Sequence, residues 1–398
     1  MNHRAPDQPL RITHVITGLG RGGAETMLLK LVETLPAAAG FTHTIITLTA
    51  GGPYDLEIPG VPVVNLGLRR GTANPLALLR LRRMVRALAP DILQGWMYHG
   101  NIAARLAASG EIPVVFNIRH SLTTFANEKP SVRVSIRLGA LLARRRVARV
   151  LYCSQTSRKQ HEALGYPAEK SLFIPNGFDS ERFRPAPQAS QETRQMTRSA
   201  LGLVLPDAAL LIAHVARYHP IKNHAGLIRS FKHLSQREPR AHLLLMGSGV
   251  TLDNQELRGV ITDLALENRI HLLGERHDIA RLLPVCDLLV SSSRGEAFPN
   301  VLGEAMSCGL PCVATDVGDS GAILGSAGRV VPADDEAALT AAMADILALP
   351  QSARQALGRA ARERVIAEFN LPAVAERYAD LYRGLKTRSA PDVQQRDG

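Results

Sequence analysis

The sequence predicts an α/β fold of two doubly wound, Rossmann-like domains, on three observations. Short apolar runs of strand length alternate with helical patterns from end to end, as parallel sheets covered on both faces require. The alternation breaks once, at the Pro-, Ser-, Gln- and Thr-rich stretch RFRPAPQASQETRQMTRSALG (182–202), and then restarts. At 398 residues the chain is long enough for two full cores. The expected domains are therefore residues 1–185 and 186–370.

Taken in order, RITHVIT (11–17) reads as the first strand, and GAETMLLKLVETL follows as a helix with Leu28, Leu31, Val32 and Leu35 on one face. HTIITL, VPVVNL, DILQ, PVVFNI and ARVLYC are further strands. Ser154, just after the last of these, is a helix N-cap. SLFI then leads into the turn PNGFD. Beyond the break, ALLIAHV, AHLLLM, RIHLL, DLLVSSS and PCVAT read as strands separated by helices, including HAGLIRSFKHLSQ and TLDNQELRGVITDLA. Three helices, near 334–348, 352–369 and 371–387, close the chain, and KTRSAPDVQQRDG is expected to fray. Two open sheets of this kind, facing each other across a cleft, bind ligands beyond the carboxyl ends of their strands.

Composition excludes several classes. With 45% hydrophobic and 21% charged residues the chain is an ordinary globular one. The N-terminal MNHRAPDQPL has no apolar core and is not read as a signal peptide. No apolar run approaches the roughly 20 residues of a spanning helix, so a cytoplasmic location is expected. Cys153, Cys286, Cys308 and Cys312 form no disulfide framework and are read as buried and inert. The net charge of +11 is uneven: residues 1–185 hold 24 Lys/Arg against 12 Asp/Glu. Much of the excess lies in two helical segments, NPLALLRLRRMVRALAP (74–90) and SVRVSIRLGALLARRRVARV (131–150). They are either ordinary solvated helix faces or a surface for an anionic partner. With aromatics at only 4% and no nucleic-acid motif, that partner is an anionic membrane surface, possible as a peripheral attachment, rather than nucleic acid.

Candidate chemistry lies in loops after strands. GLGRGGAE (18–25) places Gly22 and Gly23 before a helix N-terminus, where backbone amides can approach a phosphate or sugar. Its spacing is not that of a dinucleotide loop, and HTIITLTA offers no ribose-binding acid. VARYHPIKNH (215–224) sets Arg217 and Lys222 five residues apart, able to grip one anion if the loop curls and otherwise solvated. EAFPNVLGE (296–304) starts a helix behind Pro299. Amides of Asn300, Val301 and Leu302 suit a phosphate, Glu304 the ribose hydroxyls, and Glu296 a sugar beyond the phosphate. The rival reading, a glycosidase carboxylate pair, leaves the glycine and Arg/Lys loops unused. His99 and His120 follow first-domain strands, in loops expected to open on the cleft. No H-x-H or H-E-x-x-H occurs, and D-x-x-D at Asp316 and Asp319 is no metal site, so no metal and no cofactor are expected.

These motifs together resemble the retaining, GT-B-fold glycosyltransferases of family 4, over roughly residues 11–385. The carriers are GRGGAE, IPNGFD (174–179), VARYHPIKNH and EAFPNVLGEAMSCGLPCVATDVGD. WMYHGN and NIRHS are similar to the subgroup that builds bacterial surface polysaccharides. The resemblance implies transfer of a sugar from a nucleotide-sugar donor to a glycan or lipid-linked acceptor, with retention and without a metal. It assigns ribose to Glu304, donor sugar to Glu296, the leaving diphosphate to Arg217 and Lys222, and phosphate or acceptor to Gly22 and Gly23. It sets His120 beside the sugar, His99 and Asn101 on the acceptor side, and the loops of Gly247 and Arg276 around the base. The last helix, 371–390, would return to the first domain. A nucleotide-sugar epimerase, a phosphorylase or a catalytically silent nucleotide-binding scaffold are the alternatives.

Overall fold

The computed structural model describes residues 8–388 apart from 21, 37–38, 50–57, 69–74, 111, 123–124, 187–204 and 207. Most of the expected interdomain stretch and the last ten residues therefore lie outside the described residues. The chain divides into two compact units, one running through Gly177 and resuming at Leu371, the other Phe178–Asn370.

Unit 1 contains β1 (Leu10–Ile16), α1 (Gly23–Thr34), β2 (Phe41–Thr49), β3 (Val63–Leu68), α2 (Pro75–Leu88), β4 (Ile92–Trp96) and α3 (Met97–Ala107). It continues through β5 (Val114–Ile118), α4 (Pro130–Arg144), β6 (Arg149–Tyr152), α5 (Gln155–Ala163) and β7 (Ser171–Phe173). The strand order is β3-β2-β1-β4-β5-β6-β7, every pairing parallel. The order reverses between β1 and β4, which marks the crevice of a doubly wound sheet. Apolar side chains of α2, α3 and α4 pack into one core and those of α1 into another. The segment read as one basic helix over 131–150 ends at Arg144, and Arg146 turns the chain in a left-handed conformation (φ 54°) into β6.

Unit 2 repeats the plan with β8 (Leu210–Val215), α6 (His224–Arg237), β9 (Ala241–Met246), α7 (Gln255–Asp263), β10 (Ile270–Leu272), α8 (Ile279–Leu282) and β11 (Leu288–Ser291). Then come α9 (Asn300–Ser307), β12 (Cys312–Thr315), α10 (Ser320–Leu324), β13 (Arg329–Val331), α11 (Glu336–Ala348) and α12 (Gln351–Glu368). The order β10-β9-β8-β11-β12-β13 is again all parallel, with its reversal between β8 and β11. The edge strand β13 is not among the expected strands; its three residues are too few to show a period. All four cysteines are buried thiols, none in a disulfide.

The unit boundary falls at Phe178, not at 186. Phe178 donates its amide to the Phe369 carbonyl (2.8 Å) and stacks on Phe298 at 6.0 Å. That hydrogen bond and ring contact tie the segment after Gly177 to unit 2. The final helix, α13 (Leu371–Arg388), returns to unit 1. Tyr378 and Tyr382 on it are fully buried, and Tyr382 donates to Gln94 Oε1 (2.6 Å). Burying each such ring contributes roughly 2 kcal/mol, enough to hold a helix that the sequence places about 200 residues from its core.

One set of buried polar groups in unit 1 is matched in a chain. Trp96 Nε1, which can only donate, gives to His14 Nδ1 (3.1 Å). His14 Nε2–H then donates to His43 Nδ1 (3.0 Å), and His43 Nε2–H to the Leu35 carbonyl (2.8 Å). Both imidazoles are thereby held neutral, and burial lowers both pKa values. Among the described residues no helix is long and apolar enough to cross a membrane.

Candidate functional site

In unit 2 the loops after β8 and β11, the two strands flanking the reversal, hold the expected charged residues. The chain leaves β8 through Arg217, which is exposed, and forms one turn of 3-10 helix at Pro220–Lys222. His219 Nδ1 caps that turn at the Ile221 amide (3.2 Å). Asn223, left-handed at φ 53°, then caps α6 by accepting from the Gly226 amide (3.2 Å). The turn projects Lys222 so that its ammonium pairs with Glu296 Oε1. The same oxygen accepts from Ser293 Oγ (2.7 Å). Both partners of the pair are largely buried, with side-chain exposures of 21% and 15%.

Glu296 is set by the loops around it. Gly318 (φ 58°) packs against the Glu296 carbonyl, where a Cβ would collide, and the Asp319 amide donates to the Ala297 carbonyl (3.1 Å). Thr315 Oγ1 donates to the Ser293 carbonyl (2.5 Å). Past Pro299, the N-cap of α9, Asn300 and Val301 are half-buried in the first turn. Leu302 departs from expectation: its amide is taken by the Pro299 carbonyl (3.2 Å) and its side chain is fully buried. Glu304 sits in the next turn, half-buried, and its charge helps burial raise the Cys308 thiol. Helix α9 is seated by Gly303, which lies against the Phe178 ring where no Cβ fits.

Gly247 (φ 152°) lets the loop after β9 lie on the Ala216 carbonyl. Its amide donates to the Gly274 carbonyl (2.7 Å), and the Tyr218 amide to Ser248 (2.8 Å). Arg276 is held by its own loop, forked onto Asp278 at 2.8 and 2.6 Å. This pairing holds the Asp278 carboxyl below its ordinary range.

In unit 1, Gly22 is the extended N-cap of α1 and Gly23 its first residue. Glu25 folds back against Gly22, and burial raises its carboxyl pKa. His120 Nε2–H donates to Glu128 Oε1 (3.0 Å), and the ring meets the edge of Tyr98. Two expectations are corrected. His99 is not in a loop but in the first turn of α3, exposed, because β4 passes straight into the helix through Met97 at φ 60°. Asn101 is fully buried and braces β5: its Oδ1 accepts from the Asn117 amide (3.0 Å) and its Nδ2 reaches the Asn117 carbonyl (3.4 Å). Sequence reading missed Arg119, beside His120. It lies over the Trp96 ring at 5.7 Å and donates to Tyr378 Oη (3.0 Å) and to Asn176. It also missed Ser293, Arg294, Asp334 and Gly318. The SSSRGE run carries the first two, but no local period reveals what they touch.

Among the described residues no cluster of three His, Cys, Asp or Glu could hold a metal ion. What unit 2 offers is one buried cation–carboxylate pair with a hydroxyl, an exposed arginine and a helix N-terminus at a sheet reversal. That set can hold an anion flanked by hydroxyl groups.

The sequence matches the family "Glycosyltransferase Family 4" over residues 21–182 and "Glycosyl transferases group 1" over 209–348. The Bacillus subtilis protein EpsF, named as a glycosyltransferase, is 30% identical over 77% of this chain and 79% of its own length. The Escherichia coli UDP-Gal:α-D-GlcNAc-diphosphoundecaprenol α-1,3-galactosyltransferase is 25% identical over 71% of each. Among solved structures, Anabaena HepE in complex with UDP and glucose superposes with a TM-score of 0.79 at 22% identity, over 94% of this chain and 99% of that one.

Proposed function

The chain belongs to glycosyltransferase family 4, with the GT-B fold, and from that premise we propose how it works: it moves a sugar from a nucleoside-diphosphate sugar to a glycan or lipid-linked acceptor with retention of configuration. The observation that carries the reading is the Lys222–Glu296 pair at the β8/β11 reversal, beside the N-terminus of α9. Lys222 and Arg217 take the diphosphate, Glu296 hydroxyls of the sugar, and Glu304 the ribose. In unit 1, His120 serves the sugar, and Gly22 and Gly23 the phosphate or acceptor.

The bond from the anomeric carbon to the diphosphate oxygen breaks, and its electrons leave with the phosphate. Positive charge develops on the sugar while negative charge grows on the diphosphate, where fixed cations lower the barrier. The acceptor hydroxyl attacks the face being vacated, and its proton passes to the departing phosphate. No enzymic nucleophile is needed.

An anionic membrane surface is the partner we infer for unit 1, on the cytoplasmic side. Supporting it, α2, α3 and α4 share one core and contain eight arginines and no Asp or Glu. Leu76 (68% exposed), Val134 (64%) and Leu141 (60%) stand out among those arginines. Apolar side chains between cations suit the headgroup boundary of a bilayer better than a nucleic-acid backbone. The curated relative that acts on a diphosphoundecaprenol acceptor is consistent with this partner.

The test is calorimetry with a panel of nucleoside diphosphates and nucleotide-sugars, using wild type, Lys222→Ala and Glu304→Ala. Binding of one donor, weakened in both variants, supports the reading. No binding by well-folded protein across the panel overturns it and favours a silent scaffold.

A further inference from the structure

The turn carrying Lys222 is held from outside by residues that the mechanism does not use. A single 3-10 turn makes too few bonds of its own to keep one shape. Here each carbonyl of Pro220–Lys222 has a partner beyond β11. The Ile221 carbonyl accepts from the Arg294 amide (2.7 Å) and the Pro220 carbonyl from Arg294 Nη1 (3.2 Å). The Lys222 carbonyl accepts from Ser292 Oγ (3.0 Å). Arg294 Nε also donates to Asp334 Oδ1 (2.6 Å), and Asn223 Nδ2 reaches the same oxygen (3.3 Å).

Two further features mark this cluster. Asn223 and Asp334 are both left-handed, at φ 53° and 61°. Asn and Asp adopt that conformation more readily than other side chains, and the bonds above hold both residues in it. The Arg294–Asp334 pair is also exposed, at 43% and 55% of the side chains. An exposed pair contributes little to global stability, so stability does not account for building it.

We propose that Arg294 and Asp334 are positioning residues that clamp the 220–223 turn, fixing the Lys222 ammonium for the terminal phosphate of a nucleoside diphosphate. The proposal rests on the donor site assigned above. Arg294 and Asp334 act through the turn: the one sets its carbonyls, the other ties Arg294 to the N-cap of α6. With the clamp released, Lys222 keeps its charge but samples many positions, so a ligand must order the turn as it binds.

Arg294→Ala, Arg294→Lys and Asp334→Asn separate the possibilities in the full chain. The first measurement is hydrogen exchange without ligand at the amides of Ile221, Lys222 and Asn223. The second is calorimetry with the diphosphate that wild type binds best among UDP, GDP and ADP, beside its monophosphate. Exchange should rise about tenfold in Arg294→Ala and Asp334→Asn. Diphosphate affinity should fall about tenfold and monophosphate affinity less than about twofold, with Arg294→Lys recovering part of the loss. Unchanged exchange overturns the clamp. Equal losses for both nucleotides, together with a lowered Tm, overturn positioning in favour of general damage. If wild type binds no diphosphate, the donor site fails and takes the phosphate role with it, while the exchange result still decides whether the clamp exists.

Discussion

Unit 1 and unit 2 repeat one doubly wound topology but arrange their charges differently. Unit 1, with its returning helix, has 27 Lys/Arg against 14 Asp/Glu, while unit 2 has 20 against 22. In unit 2 opposite charges meet: Lys222 with Glu296, Arg229 with Glu336, Arg276 with Asp278, Arg294 with Asp334. Unit 1 has such pairs too, Arg158 with Glu162 and Arg383 with Glu376, but its helices α2, α3 and α4 themselves carry eight arginines and no Asp or Glu. Neither arrangement is required by the fold, since both sheets rest on the same kind of apolar core. Paired charge gives a preorganised site. Unmatched charge makes a field that reaches outward to a partner.

The sharpest break would come from Lys222→Ala. Sugar transfer should fall about 100-fold in kcat/KM, while vesicle binding stays as in wild type. A parallel loss of both would mean that the two units do not divide the work.

Next in size is the membrane face. Val134→Glu with Leu141→Glu should lower partition onto vesicles containing phosphatidylglycerol roughly 10- to 100-fold, with donor affinity unchanged. Wild-type partition should also weaken as salt is raised. Indifference to anionic lipid in sedimentation would remove the proposed partner.

Glu304→Ala should weaken nucleotide-sugar binding by about tenfold through two lost hydroxyl contacts. An unchanged dissociation constant in calorimetry would displace Glu304 from the ribose.

The smallest effect is shared by both units and comes from buried neutral histidines. Burial lowers the pKa of His14, His43 and His161 in unit 1, the last to about 4. It lowers His214 to about 3 and His224 to about 4 in unit 2. Each folded value lies below the unfolded one of about 6.5. The stability they contribute is therefore complete above pH 6.5 and is lost as pH falls toward the folded values. The protein should therefore melt at a lower temperature at pH 5.5 than at pH 7.5. Thermal melts at pH 7.5 and 5.5 test this; equal Tm values would show that the imidazoles are not buried neutral.

The fold was legible because its evidence is local. Strands such as LLIAHV and AHLLLM are short continuous apolar runs, and the helices that follow them carry one apolar face. Ser154 was readable as a cap because its hydroxyl needs only the Ser157 amide, three residues on (3.1 Å). Lys222, Glu296 and Glu304 could be proposed from sequence because their loops have a distinctive order, and the structure brings the first two together. Where local signals failed, physical reasons are evident. Met97 starts α3 with no capping side chain, so His99 read as loop. Asn101 looks like any polar residue after a strand until its neighbour Asn117 is placed beside it.

By itself, the sequence determined most of the strands and helices, where the glycine and charged loops fall, and that the positive charge is uneven. These follow from side-chain period and composition, which no distant contact can alter. Tertiary structure decided which charges meet. Lys222 and Glu296 are 74 residues apart, and Arg294 and Asp334 are 40 apart. Such pairs exist only once parallel strands carry their loops to one end of the sheet. Whether a cation becomes a buried partner or an exposed field is therefore settled by the fold, not by the residue.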